Sequence, residues 1–376
     1  MSCNLWNDCP KVPITELLSF IVDNRGKTVP TTEKGHKLIA TNCVTNNTLF
    51  PVYEKVRYLS EETYQNWFRA HPQPGDILFV NKGTPGRVCM VPDPVDFCIA
   101  QDMIALRADD SKIYNKYLFA VLRSNVIQQQ IYNTNVGDVI PHFKKQFIDQ
   151  LLIPVPDRKI QEAIGDFYYA LSYKADLNKQ INDNLQQQAQ AIYASMFIDK
   201  ADPEWEQGHL SDLITVKYGK DHKKLADGSY PVYGSGGVMR YVERPLYDKE
   251  SVLIPRKGTL NNVMYVNQPF WSVDTMFYTE MRLPNVAKFV YHFVKAKDLA
   301  SMNAGSAVPS MTTDILNAMD VAIPSVSALE EFEALVSPMY KAMQENDNQS
   351  ETLAKLRDAL LPKLMSGEVD VSDIQL

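Results

Sequence analysis

The feature of this 376-residue sequence that most limits its fold is an internal duplication. The triplet Lys-Gly-Thr occurs at Lys82–Thr84 and returns 175 residues later at Lys257–Thr259, each time after a short run of β-forming residues. Other matched segments follow in the same order: "AQDMIAL" from Ala100 with "SVDTMFY" from Ser272, "NVGDVIPHF" from Asn135 with "NAGSAVPSM" from Asn303, and "LLIPVP" with "VAIPSV". The sequence therefore predicts two copies of one plan, each with mixed strands and short helices.

A long helix is predicted after the Ile-Pro of each copy. Seam positions alternate spacings of four and three from Ile160 to Ile192 and again from Phe332 to Leu360, which is a heptad pattern. Asn178 and Asn346 occupy the same place in the two series. We predict that the helices pair antiparallel within the chain and that these two asparagines set the register of the spacer. The alternative is that each helix packs only on its own globular half.

Two positions should end or disturb the second helix. Pro338 lies inside the heptad series and is expected to kink or break the helix. "MSGEVD" after Leu364 is expected to stop it at the glycine.

The predicted fold class is α+β. Two α/β domains would be joined by two long helices that form an intramolecular antiparallel coiled coil, with pseudo-twofold symmetry. The predicted bounds are residues 1–153 for the first globular domain, 154–200 for the first helical region, 201–323 for the second globular domain and 324–376 for the second helical region.

Charge is distributed unevenly along the chain. The formal net charge is −7, but residues 327–376 hold ten acids against four bases and so contain nearly all of the excess. Residues 217–257 hold nine bases against five acids. Because a local basic stretch attracts nucleic acid, the negative total does not exclude DNA as a partner.

Composition limits the cellular context. No apolar run approaches the roughly 20 residues of a membrane-spanning helix, and the first residues lack the apolar core of a signal peptide, so a cytoplasmic location is expected. The five cysteines all precede residue 100 and form no Cys-x-x-Cys pair. Reduced thiols are therefore expected, with neither a disulfide framework nor a metal site.

The sequence contains none of the common catalytic motifs. A phosphate-binding loop, a dinucleotide fingerprint, His-Glu-x-x-His and Gly-x-Ser-x-Gly are all missing, as is the Asn/Asp-Pro-Pro-Tyr/Phe tetrapeptide of amino-methyltransferases. Asp102 and Asp274, which the duplication pairs, could be catalytic but are expected to be structural hydrogen-bond acceptors. We expect a non-catalytic chain with no cofactor or metal of its own.

The repeated triplet suits contact with DNA. Its lysine can meet a phosphate, its glycine lets the backbone approach closely, and its threonine hydroxyl can donate to a phosphate oxygen, although the same triplet can also be a simple turn. In the second copy, a planar arginine fork and a stretch of bases interleaved with tyrosines precede the triplet. The predicted DNA-binding residues are Lys82, Gly83, Thr84 and Arg87 in the first copy, and Lys217, Lys220, Lys223, Lys224, Tyr233, Ser235, Arg240, Arg256, Lys257 and Thr259 in the second.

These segments resemble the specificity subunit of Type I restriction–modification systems. The stretch from "GSYPVYGSGG" through "VLIPRKGT" to "FWSVDTMFY" looks like a target-recognition domain of that family, and "GDILFVNKGTPGRV" with "AQDMIAL" supplies the first copy. "IPVPDRKIQEAI" and "IPSVSALEEF" look like the entries into its two helical regions, and "LRDALLPKLMSGEVDV" is similar to its C-terminal helix.

The resemblance implies a function in recognition. Each recognition domain would contact one half of a bipartite double-stranded DNA target, and the helical spacer would set the gap and dock two methyltransferase subunits. Restriction subunits would join the full complex, so S-adenosylmethionine, ATP and Mg²⁺ would be used only by partner subunits. Two other hypotheses stay open: a nuclease or other enzyme with an unrecognised site, and a protein-binding adaptor.

Overall fold

The computed structural model describes residues 4–24, 27–134, 141–302 and 310–370. The chain divides into two compact units: unit 1 comprises residues 1–182 with 344–376, and unit 2 comprises residues 183–343. The matched segments that begin at Asn135 and Asn303 fall mostly outside the described residues.

Unit 1 is built on three small sheets. A four-stranded sheet has the order β2-β8-β5-β6, a three-stranded sheet has the order β4-β3-β7, and β1 pairs with β9. Only β3 and β7 run parallel among these pairs. The strands are β1 (Lys11–Pro13), β2 (Leu18–Asp23), β3 (His36–Ile39), β4 (Arg57–Leu59), β5 (Ile77–Val80), β6 (Val88–Met90), β7 (Phe97–Ile99), β8 (Met103–Ala108) and β9 (Leu152–Pro154).

Unit 2 repeats this topology strand for strand. Its sheets have the orders β11-β17-β14-β15, β13-β12-β16 and β10-β18, and the pair β12·β16 is parallel as β3·β7 is. The strands are β10 (Glu206–His209), β11 (Ile214–Tyr218), β12 (Asp227–Gly234), β13 (Gly237–Val242), β14 (Ser251–Pro255), β15 (Met264–Val266), β16 (Trp271–Ser272), β17 (Met276–Met281) and β18 (Asp320–Ile323). The predicted duplication is therefore confirmed at the level of strand pairing.

Two helices are much longer than the others. The helices are α1 (Leu5–Asp8), α2 (Glu61–Asn66), α3 (Asn115–Arg123), α4 (Asn125–Thr134), α5 (Arg158–Ala194), α6 (Leu210–Leu213), α7 (Ala287–Lys295), α8 (Thr313–Asn317) and α9 (Val326–Ser366). A π-helical turn, Ser195–Asp199, follows α5. In the described part of the chain, no helix combines the length and the apolar character that a membrane span requires.

The core of each unit lies where a helix covers the four-stranded sheet. Every residue of β5 and of β14 is buried, which explains why apolar residues follow one another in β5, and in β14 after Ser251, instead of alternating with polar ones. In unit 1, Phe119 of α3 belongs to the same buried cluster as Phe79 of β5. In unit 2, Phe289 of α7 belongs to the same cluster as Ile254 of β14. The central strands thereby hold the loops that follow them in fixed positions.

The long helices pack antiparallel within each unit, as predicted. In unit 1 the Arg357 guanidinium lies 5.4 Å from the centre of the Tyr168 ring, while the later Asn178 reaches back to the earlier Ser350 at 3.2 Å. In unit 2 the rings of Tyr193 and Phe332 lie 6.2 Å apart. Residue numbers on one helix rise as those on its partner fall, and the fold class is confirmed.

The predicted heptad seam is followed only in part. Ile181, Leu335 and Leu356, which the pattern places at seam positions, are exposed. A straight α-helix has 3.6 residues per turn and drifts from a seven-residue repeat, so the buried stripe passes to neighbouring positions such as Tyr168 and Ser172.

Pro338 does not break α9. The prediction of a break was wrong, because the helix is continuous from Val326 to Ser366. A proline in a helix interior costs about 3 kcal/mol, and burial of Phe332, Val336 and Tyr340 around it offsets a loss of this size. The predicted stop at Gly367 is confirmed: this residue follows the helix with a φ of 74°.

Candidate functional site

The two Lys-Gly-Thr loops have the same backbone conformation. Each follows a central strand, β5 or β14, and the glycine φ is 85° at Gly83 and 86° at Gly258. The lysines also form equivalent antiparallel bridges, Lys82 with His142 and Lys257 with Ser310. A positive φ favours glycine, so the residue type at this turn follows from its geometry.

Backbone hydrogen bonds hold both loops in the same frame. The N–H before each lysine donates to the loop that precedes β8 or β17: Asn81 to the Asp102 carbonyl and Arg256 to the Thr275 carbonyl, both at 2.9 Å. These bonds correct the predicted pairing of Asp102 with Asp274. Since Val80 pairs with Met103 and Pro255 with Met276, Asp102 corresponds to Thr275, one residue further on.

The loop side chains face solvent. Lys82, Lys257 and Thr259 are exposed, and Thr84 is half-buried. Neither lysine forms an ion pair with any residue that the structure describes. An unpaired, exposed ammonium on a rigid turn is available to an anionic partner at little desolvation cost.

In unit 2 the turn between β12 and β13 lies against the second loop. A Cβ added to Gly258 would lie 2.6 Å from Ser235 Oγ, and Asn262 Nδ2 donates to the Ser235 carbonyl at 2.8 Å. The two glycine-containing segments that the sequence singled out, "YGSGG" and "RKGT", therefore form one continuous surface.

Arg256 extends this surface toward the end of β11. Its guanidinium lies 5.6 Å from the centre of the Tyr218 ring, and Nη1 donates to the Asp274 carbonyl at 3.3 Å. Stacking on an exposed tyrosine holds the arginine fork in place while its remaining N–H groups stay available.

The other predicted basic residues differ in their surroundings. Lys217 pairs with Glu280 at 3.5 Å, and Arg240 donates to Asp227 at 2.7 Å and to the Leu225 carbonyl at 3.0 Å, so both charges have partners within unit 2. The Lys220 backbone is fixed against β16 by Trp271 Nε1, which donates to its carbonyl at 2.8 Å, and its side chain is exposed. The exposed side chains also include Lys223 and Lys224.

Tyr233 is held from the sheet side. Its ring packs edge-on against Phe270 with centroids 6.1 Å apart, and its hydroxyl accepts from Gln268 at 3.3 Å. The side chain is half-buried in this position.

Unit 1 lacks a counterpart of the short β12–β13 hairpin. Seventeen residues, 40–56, separate β3 from β4.

The residue that follows β2 also differs from its counterpart in unit 2. In unit 1 this residue is the buried Asn24, which donates to the Ile99 carbonyl. In unit 2 Gly219 follows β11 as Asn24 follows β2, and it packs directly on the backbone of residues 272–273. Arg87 is exposed just before β6.

Met239 was missed by the sequence argument. It is the extra residue of a β-bulge, since Val232 pairs with Arg240 while Tyr233 pairs with Val238. Its side chain is 61% exposed and covers Gly234, whose added Cβ would lie 2.5 Å from the sulfur. The only sequence signal was a glycine beside a strand, which is typical of a bulge or a close contact.

Comparison with known proteins gives consistent matches. The family model described as "Type I restriction modification DNA specificity domain" matches residues 24–187 and 203–350. The specificity subunit of the Type I restriction enzyme MjaIX from Methanocaldococcus jannaschii is 22% identical over 346 residues, covering 80% of this chain and 79% of the relative. The HindI specificity subunit of Haemophilus influenzae is 20% identical over 406 residues, covering 78% and 86%.

A solved structure has the same fold. The Type I restriction–modification S subunit from M. genitalium superposes with a TM-score of 0.60 at 17% identity, covering 95% of this chain and 96% of that one.

Proposed function

The chain belongs to the family of Type I restriction modification DNA specificity domains and contains two copies of the domain; from this premise we propose that it recognises a bipartite double-stranded DNA target without catalysing a reaction. Each unit supplies one recognition surface, centred on its Lys-Gly-Thr loop. The observation that carries this proposal is the matched pair of loops, with glycine φ values of 85° and 86° on equivalent strands.

Local chemistry supports DNA as the ligand. Exposed Lys82 and Lys257 can neutralise phosphates, and the fork of Arg256 can contact a phosphate or the O6 and N7 atoms of guanine. The acidic excess lies in residues 327–376, away in sequence from the basic stretch at 217–257. Partner subunits can supply further phosphate contacts.

The paired helices suit a spacer. Asn178 Nδ2 donates to the Asn346 carbonyl at 3.3 Å and to Gln349 Oε1 at 2.8 Å, and Asn346 Nδ2 donates to Asn182 Oδ1 at 2.8 Å. A polar pair of this kind, with Asn178 buried and Asn346 half-buried, disfavours other registers, because a shifted helix would leave the amides unpaired. We propose that this register sets the gap between half-sites and that the helices dock two methyltransferase subunits, with restriction subunits in the full complex.

Chemistry is assigned to those partners. S-adenosylmethionine, ATP and Mg²⁺ would bind to them, and this chain would provide only recognition and assembly. Incubation of the pure chain with DNA and Mg²⁺ should leave the DNA intact; cleavage would favour the alternative of an unrecognised nuclease.

The proposal is tested by mapping methylated bases in the genome of a host that carries the complex. A split motif with an undefined middle is expected. Deletion of the gene for this chain should remove methylation at that motif, and an unchanged pattern would contradict the proposal.

Single substitutions then test the surfaces. Lys257→Met should weaken binding of the assembled complex to the cognate duplex and reduce the slope of log K against log salt by about 0.9, the value for one lost phosphate contact. Arg256→Ala should cost about 1–3 kcal/mol and relax preference in one half-site if the fork contacts a base. Lys355→Met, on an exposed part of α9, is the matched control and should leave both quantities unchanged. Retained affinity in both loop variants would place the DNA elsewhere.

A further inference from the structure

A polar cavity of about 270 Å³ in unit 1 lies between the globular part and both long helices. Four separate parts of the sequence line it: residues 46–47, residues 123–125, Tyr168 of α5, and residues 357, 358, 361 and 362 of α9. It shares no residue with the loops proposed to bind DNA.

Two buried arginines border this cavity. Arg123 is 8% exposed and Arg357 is 6% exposed. Tyr168 contacts both: its ring lies 5.4 Å below the Arg357 guanidinium, and its hydroxyl lies beside Arg123. Asp358 is the one acid in the lining, and it accepts from Arg357 Nε at 2.8 Å. The lining therefore carries a net positive charge.

The hydrogen-bonding capacity of the two guanidiniums is incompletely used. Arg123 Nη2 donates to the carbonyls of Thr45, Thr48 and Val88, while its Nε and Nη1 have no acceptor among the residues that the structure describes. For Arg357, Nε alone has an acceptor within that part of the chain. A buried donor without a partner costs about 1–3 kcal/mol, and more when it is charged.

The two arginines differ in their electrostatic surroundings. Burial lowers the pKa of Arg123, and the positive charge of Arg357 lowers it further, against the opposing effect of Tyr168. Burial also opposes the charge of Arg357, but its hydrogen bond to Asp358 and the nearby Tyr168 raise its pKa overall, so Arg123 is the guanidinium whose charge lacks compensation.

The remaining donors suit a tetrahedral anion. The ten-residue helix α4 begins at Asn125, so the positive end of its dipole borders the cavity. The side chain amides of Asn47 and Asn125 add neutral donors. One planar carboxylate fills a single arginine fork, whereas a phosphate can accept from several directions at once.

We propose that this cavity is a phosphate-binding site, with Arg357 and Arg123 as its charged ligands and the N-terminus of α4 as its third component. The phosphate group can come from a free phosphate compound or from the DNA backbone, and the chemistry is the same for both. Because the site joins the globular part of unit 1 to α5 and α9, its occupancy would stabilise that junction.

The first test uses inorganic phosphate and the full chain. Isothermal titration calorimetry at constant ionic strength should show saturable binding at one site, and the thermal unfolding midpoint should rise as the site fills. Arg357→Met should weaken phosphate binding at least tenfold. Lys355→Met removes the same charge from an exposed position on the same helix and should bind phosphate as the wild type does.

A second variant guards against misfolding of the first. Asn47 is exposed, and its side chain makes no hydrogen bond within the described residues. Asn47→Asp should therefore fold normally while its carboxylate repels phosphate, with at least a tenfold loss of affinity. Absence of saturable binding in the wild type, or wild-type phosphate affinity in both variants, would overturn the proposal.

DNA titrations identify the source of the phosphate. If the DNA backbone supplies it, Arg357→Met but not Lys355→Met should reduce the salt slope of duplex binding by about 0.9. If a free compound supplies it, DNA binding stays unchanged while phosphate binding is lost. A third outcome is that phosphate does not bind and that Arg357→Met releases a methyltransferase subunit. This outcome would overturn the proposal and assign the cavity to an acidic side chain of that partner.

Discussion

His292 gives the stability of unit 2 a defined dependence on pH. Its imidazole is fully buried on α7, where Nε2 lies 2.9 Å from the Tyr340 hydroxyl of α9 and Nδ1 lies 2.8 Å from Gln190 Oε1 of α5. Burial, with a smaller effect of the nearby Lys295 charge, lowers the pKa of His292 from 6.5 to about 4. The folded unit therefore holds this side chain neutral across most of the acidic range.

The sign follows from proton uptake. Between pH 6.5 and about 4 the unfolded chain binds a proton at His292 and the folded chain does not, so the free energy of unfolding falls as the pH is lowered through this range. Each pKa unit corresponds to about 1.36 kcal/mol. The contribution lost is then about 2 kcal/mol at pH 5 and about 3 kcal/mol in total, and it is negligible at pH 7.5.

The assay is urea denaturation of the wild type and of His292→Gln at pH 7.5 and pH 5.0. The difference between the two proteins should change by about 2 kcal/mol between these pH values, since all other titrating groups are common to both. Tyr340→Phe is the control: it removes a hydrogen bond worth about 1 kcal/mol but should keep the pH dependence. A wild-type-to-variant difference that is the same at both pH values would refute the reasoning.

Three further predictions concern the backbone and the spacer. Asn178→Leu removes donated hydrogen bonds but also removes an Oδ1 that has no partner in the described chain, so stability should change by less than about 1 kcal/mol. Gel shifts with duplexes that differ in the gap between half-sites should show a relaxed preference for gap length. A sharp preference for one gap would contradict the register role. Gly83→Ala should cost about 1–2 kcal/mol for its positive φ, and Gly258→Ala should cost more because its Cβ would lie 2.6 Å from Ser235 Oγ; equal shifts in thermal denaturation would count against this. Pro338→Ala should raise the free energy of unfolding by up to about 3 kcal/mol, and a decrease in urea titrations would show that the proline is needed.

The duplication, the long helices and their antiparallel pairing could be predicted, because the repeated motifs and the heptad spacing that indicate them are visible in the sequence. Gly83 and Gly258 could be singled out since a turn with positive φ selects glycine. Strand-by-strand equivalence between the units was not accessible, because β-pairing joins residues far apart in sequence.

The predictions from the sequence were wrong or incomplete where tertiary packing and strand pairing determine the structure. The one-residue error that paired Asp102 with Asp274 came from similar letters at a position where backbone bonds, not side chains, define the correspondence. Pro338 lies inside a continuous helix because the burial of neighbouring side chains outweighs the local cost of a proline. The bulge at Met239 depends on cross-strand register, and a single sequence carries no measure of register there.

The pairs β1·β9 and β10·β18 have a consequence for how this polypeptide can change. Each clasps the entrance of a globular segment to its exit, immediately before α5 or α9 begins. We therefore expect that the residues between the paired strands can be exchanged as one segment while α5 and α9 keep their sequences. Grafting a foreign insert at one of these strand pairs should therefore yield chimaeras that still fold, and under the proposed function only one of the two half-site preferences should change.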